Sequence, residues 1–193
     1  MPRRPGLDRR ALVGEAAALA DERGLDFVTL SNLAARLNVR APSLYNHIES
    51  ADELQRQLSL FALQALGDEI ARAAIGRNGS AGLIAIANAY RTFAKQHPGV
   101  YGATLRAIRP DDAAAAEISG RMLDVLQAIL APFDLDEDRS IHAMRGFRSL
   151  VHGFVSLEAA SGFGLRQNID ESFAFVLRSF IAGLDAGTSS ASR

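Results

Sequence analysis

Side chains suited to nucleic-acid recognition crowd one short stretch of this chain. Arg40 offers the planar fork that pairs with guanine or a phosphate, and Asn46 the amide that matches adenine. Ser43 and Tyr45 can donate to phosphate oxygens, and Ala41 and His47 complete the outward-facing set. The same residues are equally compatible with the solvated face of a small helical domain. Other chemistry is not spelled out. Of the 4 histidines, His142 and His152 stand ten residues apart, not at the i, i+3 or i+4 spacing that puts two ligands on one helix face. There is no H-E-x-x-H and no nucleophile–histidine–acid signature, and Gly162-x-Gly164 lacks the third glycine of a phosphate loop. No catalytic residue, metal or cofactor is expected.

The elements that must carry this set read as helices throughout. Asp8 caps the first, with Leu12, Ala16, Leu19 and Ala20 on one face and Gly24 as its stop. Thr29 caps a short segment bearing Leu30, Leu33, Ala34 and Leu37, closed at Asn38, which tolerates left-handed backbone. A very short third segment runs from Ala41 to His47 with Pro42 in its first turn. Two short helices joined through Asn38-Val39-Arg40 must cross steeply, and that is a helix-turn-helix. Leu37, Val39 and Leu44 can fill the corner, with small Ala34 where the helices touch. The second helix then presents Arg40, Ala41, Ser43, Tyr45, Asn46 and His47 near its N-terminus, the end that enters a major groove.

Beyond it, Ser50 and Glu53 form a capping box for a long helix with Leu54, Leu58, Phe61 and Ala65. Arg77-Asn78-Gly79-Ser80 breaks the chain. The next helix shows Leu83, Ile86, Tyr90 and Phe93 and stops at His97-Pro98-Gly99, where Pro98 begins a short helix through Leu105. After Pro110-Asp111 comes a stripe of Ile118, Met122, Val125 and Ile129, ended by Pro132. Asp136 to Asp138 open a helix with Ile141, Phe147, Val151 and Phe154, and Asp170 caps the last. The tail, 187–193, is Ser/Ala/Gly-rich and expected to be disordered. No alternating stretch is long enough for a strand, so the expected fold is all-α.

Composition sets the bounds. The chain has 193 residues, 48% hydrophobic and 22% charged, which is ordinary globular composition. With Cys 0, disulfides and thiolate sites are excluded, and a reducing compartment fits. Neither a signal peptide nor an apolar run long enough to span a membrane is visible, so a cytoplasmic protein with no membrane partner is expected. A net charge of −1 argues against coating nucleic acid by charge alone. Locally, Arg3, Arg4, Arg9 and Arg10 face only Asp8, and such an arm could reach a groove or the backbone.

Thr29-Leu30-Ser31-Asn32-Leu33-Ala34, followed by Leu37-Asn38-Val39-Arg40-Ala41-Pro42-Ser43-Leu44-Tyr45-Asn46-His47-Ile48, resembles the DNA-binding domain of TetR/AcrR-family transcriptional regulators. The likeness covers roughly residues 8–55. It implies that Thr29 and Ser31 sit at the phosphate-facing start of the second helix, and that Arg40, Ala41, Ser43, Tyr45, Asn46 and His47 face the groove. Two positions depart from the family pattern. Asn38 stands where glycine is usual, and Ala51 replaces the lysine before Asp52-Glu53, which should lower the salt slope by about one charge.

Residues 56–186 are expected to form a second helical domain. Tyr90-x-x-Phe93-Ala94-x-x-His97-Pro98-Gly99-Val100-Tyr101 and Val151-His152-Gly153-Phe154 are similar to a subset of the same family carrying a His-Gly motif. There the resemblance implies an effector site and a dimer interface. Candidate pocket residues are Tyr90, Phe93, Tyr101, Met122, Phe147, Val151 and Phe154, with Arg106, Arg121, His97 and His152 as occasional polar partners. Aromatics at helical spacing are as readily plain core. The expected effector is small and hydrophobic. Broad apolar faces on the last two helices point to an isologous homodimer through Leu150, Phe173, Leu177, Phe180, Ile181 and Leu184. The expected function is a repressor released from a pseudo-palindromic double-stranded DNA operator by that effector. The alternative is an all-α small-molecule carrier or interaction scaffold, supported by Ala51 and by the balance of acids and bases over residues 1–60.

Overall fold

The computed structural model describes residues 8–106, 109 and 111–189, and every regular element among them is helical. In chain order they are α1 (Arg9–Arg23), α2 (Leu30–Leu37), α3 (Ala41–Leu44), α4 (Ala51–Ala74), α5 (Gly79–Gln96), α6 (Pro98–Ala103), α7 (Ala113–Leu130), α8 (Glu137–Ala159) and α9 (Ile169–Ser189). Short 3-10 turns lie at Leu25–Phe27 and Ala131–Phe133. The all-α architecture matches the sequence reading.

Capping fixes most of the starts. Asp8 Oδ1 accepts from Ala11 N at 2.7 Å, Thr29 Oγ1 from Asn32 N at 3.2 Å, and Asp136 Oδ1 from Arg139 N at 2.8 Å. Each satisfies one of the amides that a first turn leaves without a partner. Ser50 Oγ takes Glu53 N at 3.1 Å, while the Glu53 carboxylate turns to Gln57 Nε2 at 2.7 Å. At α9 the cap differs from expectation. Asn168 Oδ1 accepts from Asp170 N at 2.8 Å, two places earlier than the proposed Asp170 cap, while the Asp170 carboxylate pairs with Arg91. α9 continues through Ser189, into the stretch expected to be tail, and residues 190–193 lie outside the described ones.

The described residues fall into two compact units, one within Met1–Leu66 and Gln96–Ile118, the other within Gly67–Lys95 and Ser119–Arg193. In the first unit α6 packs against α1. It lies on α1 so closely that a Cβ on Gly99 would stand 2.0 Å from the Ala20 carbonyl oxygen. Asp21 ties the joint, accepting from Val100 N at 2.8 Å and meeting His97 Nδ1 at 2.8 Å. The core of this unit is Leu12, Ala16, Leu33, Leu44, Ile48, Leu54 and Leu58, all essentially closed to solvent. Its outer clamp is Arg56 on α4, which grips buried Asp112, and Asp112 in turn caps α7 by accepting from Ala115 N at 3.3 Å.

In the second unit, Leu83, Ile86, Ile129, Val151 and Phe173 form the dry centre. Gly82 lets Ile129 approach within 3.0 Å of where a Cβ would be. One charge is held inside: Arg91 donates to Glu158 through Nε at 2.7 Å and Nη2 at 2.6 Å. Its guanidinium carbon lies 4.9 Å from the Phe173 ring centre and 5.7 Å from that of Phe154, a cation–π arrangement. The Arg91 hydrogen bonds hold the Glu158 carboxyl below its usual range, against the opposing effect of burial.

Two predictions follow from these contacts. Gly99→Ala should destabilise the protein by about 1–3 kcal/mol or more, because backbone must move to admit the methyl. Gly14→Ala, with open space around it in α1, should instead stabilise by about 0.4–1 kcal/mol. Urea denaturation midpoints read both. For Glu158, a depressed folded pKa means its contribution is complete above the ordinary value of 4.5 and is lost as pH falls through the folded one. Thermal midpoints should therefore drop on acidification below about pH 4.5, and more shallowly in Glu158→Gln.

Candidate nucleic-acid interface

The turn between α2 and α3 is built on one left-handed residue. Asn38 takes φ 53° and ψ 46°, and the amides of Asn38 and Val39 return to the carbonyls of Ala35 and Ala34 at 3.1 and 3.0 Å. This closes α2 abruptly and turns the chain within three residues. Leu33, Ala34, Leu44 and Ile48 meet in the corner, fully buried. Val39, expected in that corner, instead stands 36% exposed on the turn. Pro42 begins α3 without needing an amide partner. The regular α3 ends at Leu44, and residues 45–47 continue as turns, shorter than the expected helix to His47.

The outward set is presented as expected. Thr29, Ser31, Arg40, Ser43, Tyr45 and Asn46 are exposed, and Ala41 and His47 half-buried. Tyr45 is 56% exposed, its ring and hydroxyl both open to a partner. The Thr29 hydroxyl accepts from Asn32 N, so its own proton stays available for a phosphate oxygen. An α2 N-terminus with its first amides outward, next to a helix showing Arg40, Tyr45 and Asn46, has the donors for a DNA backbone and the side chains for base edges.

Some of the supporting cast carries no local sequence signal. Arg9 Nε donates to the His47 carbonyl at 3.0 Å, across 38 positions. Arg9 thus pins the end of the α3 segment, whereas the sequence placed it in a DNA-reaching arm. Arg3 and Arg4 of that arm lie outside the described residues, and Arg10 is exposed. Arg36 fixes α2 to α1 through Glu15 at 2.8 Å and a bidentate pair with Glu22 at 2.7 and 2.8 Å. These hydrogen bonds hold the Glu22 carboxyl below its usual range. Asn32 Nδ2 and Gln55 Nε2 secure the carbonyls of Phe27 and Val28, at 2.8 and 2.9 Å.

The other predicted sets fare differently. Of the candidate pocket residues, Tyr90, Phe93, Phe147 and Val151 are buried core of the second unit, Met122 and Phe154 are half-buried there, and Tyr101 belongs to the first unit on α6. Phe154 packs its ring 4.7 Å from Phe163 and 4.9 Å from Phe173. Of the candidate interface residues, Phe173, Leu177 and Ile181 are 2%, 2% and 6% exposed. All three therefore belong to the packed interior of their own unit. Leu150, Phe180 and Leu184 remain half-exposed, and the open apolar residue of α9 is Phe175. No group of three or more potential metal ligands occurs among the described residues, and no helix there is long and apolar enough to cross a membrane.

Duplex-binding titrations distinguish the two roles for Arg9. As a strut for the α3 segment, Arg9→Ala should weaken binding about fivefold, the worth of roughly one hydrogen bond, with the salt slope unchanged. A direct phosphate contact would instead lower that slope by about 0.9.

Comparison with known proteins places the chain. Residues 83–180 match the family described as Tetracyclin repressor-like, C-terminal domain. The chain is 36% identical over 185 residues to the HTH-type transcriptional regulator YobS of Bacillus subtilis (strain 168), covering 95% of this chain and 96% of YobS. Among solved structures, a protein of unknown function from Rhodococcus sp. RHA1 superposes with TM-score 0.80 at 22% identity, covering 96% of this chain and 99% of that one. A TetR variant from Acinetobacter baumannii AYE in complex with minocycline superposes with TM-score 0.66 at 24% identity, covering 93% and 97%.

Proposed function

The chain belongs to the TetR family of transcriptional regulators, and on that premise we propose that it is a homodimeric repressor released from DNA by a small hydrophobic effector. The observation that carries the reading is the exposed set around α3: Arg40, Tyr45 and Asn46 stand outward on a buried, tightly closed helix-turn-helix. An exposed ring or guanidinium is ordinary by itself; their gathering on one face of a helix-turn-helix is what points to a partner. A major groove and its phosphates give both a partner.

In this proposal residues 1–55 read DNA and residues 56–186 bind the effector and form the dimer. Two recognition helices related by a two-fold axis sit about 34–36 Å apart, or a multiple of that, so the operator is a pseudo-palindrome. Thr29 and Ser31 hold phosphates, and Arg40, Ala41, Ser43, Tyr45, Asn46 and His47 face the bases. The half-exposed Leu150, Phe180 and Leu184 lie at the dimer contact. The neighbour in complex with minocycline supports a small molecule as the effector. The effector acts only by preferring one of two conformations, since equal affinity for both shifts nothing.

Fluorescence anisotropy on the chain's own upstream intergenic duplex, against a scrambled duplex, tests the reading. Tyr45→Ala and Arg40→Ala should each abolish selective binding while sedimentation still reports a dimer. Unchanged affinity in both variants would remove α3 from the interface.

A further inference from the structure

Two stripes of the second unit face each other across an open cleft of about 300 Å³. From α5 come Ile84, Asn88 and Arg91, at i, i+4 and i+7, and from α9 come Asp170, Phe173, Ala174, Leu177 and Arg178, on one helical face. The volume lies at the lower end of the ~300–1,000 Å³ typical of small-molecule sites. It is about twice the ~150 Å³ cavity that accepts benzene, so roughly two rings fill it.

The lining is apolar along its floor and charged at its ends. Phe173 and Leu177 are core residues that show an edge here, while Ile84 is 39% exposed beside them. At one end Arg91 is already committed, to half-buried Glu158 and to Asp170 Oδ1 at 2.8 Å. At the other end Arg178 is exposed and has no hydrogen-bond or ion-pair partner among the described residues, and neither has the Asn88 side chain between them. The lining thus sets two guanidiniums against one carboxylate, and the uncompensated charge is at Arg178.

We propose that this cleft binds a small aromatic monocarboxylate, its rings against Ile84 and Ala174 over the edges of Phe173 and Leu177, and its carboxylate on Arg178 with Asn88. An acid supplies the anion that Arg178 lacks, and a flat ring fits between two helices lined by a ring edge and aliphatic side chains. Asp170, fixed on Arg91 at the far end, makes a second acid group on the ligand unfavourable. The site does not depend on the DNA-binding reading, because its test reads binding directly.

The probe is 2-naphthoate, titrated into the full chain by calorimetry, with 2-naphthamide as its neutral counterpart. Saturable binding of the acid is expected, with the amide at least tenfold weaker. Arg178→Ala, a surface change that leaves the core intact, should weaken the acid about tenfold and leave the amide unmoved. Ala174→Trp should abolish both by filling the cleft, with circular dichroism confirming the helices. The inference is overturned by the absence of saturable binding at millimolar acid to the native chain, or by acid binding that Arg178→Ala and Ala174→Trp leave unchanged.

Discussion

Among the described residues every regular element is helical, each first turn leaves amides that nothing inside the helix can satisfy, and this constraint decides where most of these elements begin. Asp8, Thr29, Ser50, Asp112, Asp136 and Asn168 each supply one short side-chain oxygen to a first-turn amide. The consequence is most visible around α3. Thr29 sets the start of α2, left-handed Asn38 sets its end, and the short span between them makes α2 too brief to pack antiparallel on α3. The steep crossing, and with it the outward display of Arg40, Tyr45 and Asn46, follows from where those two residues stand.

That part of the molecule was legible because its causes are local. A cap acts three residues away, a left-handed Asn acts on its own turn, and Leu33 and Leu44 announce their burial by spacing. The joints that hold the unit together are long-range and carry no pattern. Asp21 reaches residues 76 and 79 positions along the chain, and Arg91 reaches Glu158 across 67. Asp170 shows the limit clearly. Its sequence position suits a helix cap, but a buried guanidinium within reach is a stronger partner, and Asn168 takes the cap instead.

The inward packing of Phe173, Leu177 and Ile181 was hidden for a different reason. A helix apolar around much of its circumference tells a reader that two surfaces are covered, not which stripe faces its own core. In α9 the stripe of Phe173, Leu177 and Ile181 turns inward, where Phe173 stacks on Phe154 and on the Arg91 guanidinium. The outward stripe holds Phe175 with Ser179 and Ala182, too few large side chains to register as a second face. Small residues around one ring allow close helix approach, which periodicity of hydrophobicity does not measure.

Charge placement gives the final step. With a net charge of −1, the protein cannot draw duplex DNA to itself by its overall field, so attraction has to come from groups left uncompensated at the interface. Most cations of the first unit are spent internally: Arg36 on Glu15 and Glu22, Arg56 on Asp112, Arg9 on a carbonyl. Arg40 is exposed and has none of these ties. Each cation tied internally makes the salt dependence shallower and leaves a larger share of affinity to contacts that only correct geometry can make. A recognition helix braced by Arg9, on a turn closed by Asn38, is suited to selectivity of that kind: each lost strut costs affinity for every sequence, while each lost base contact costs discrimination.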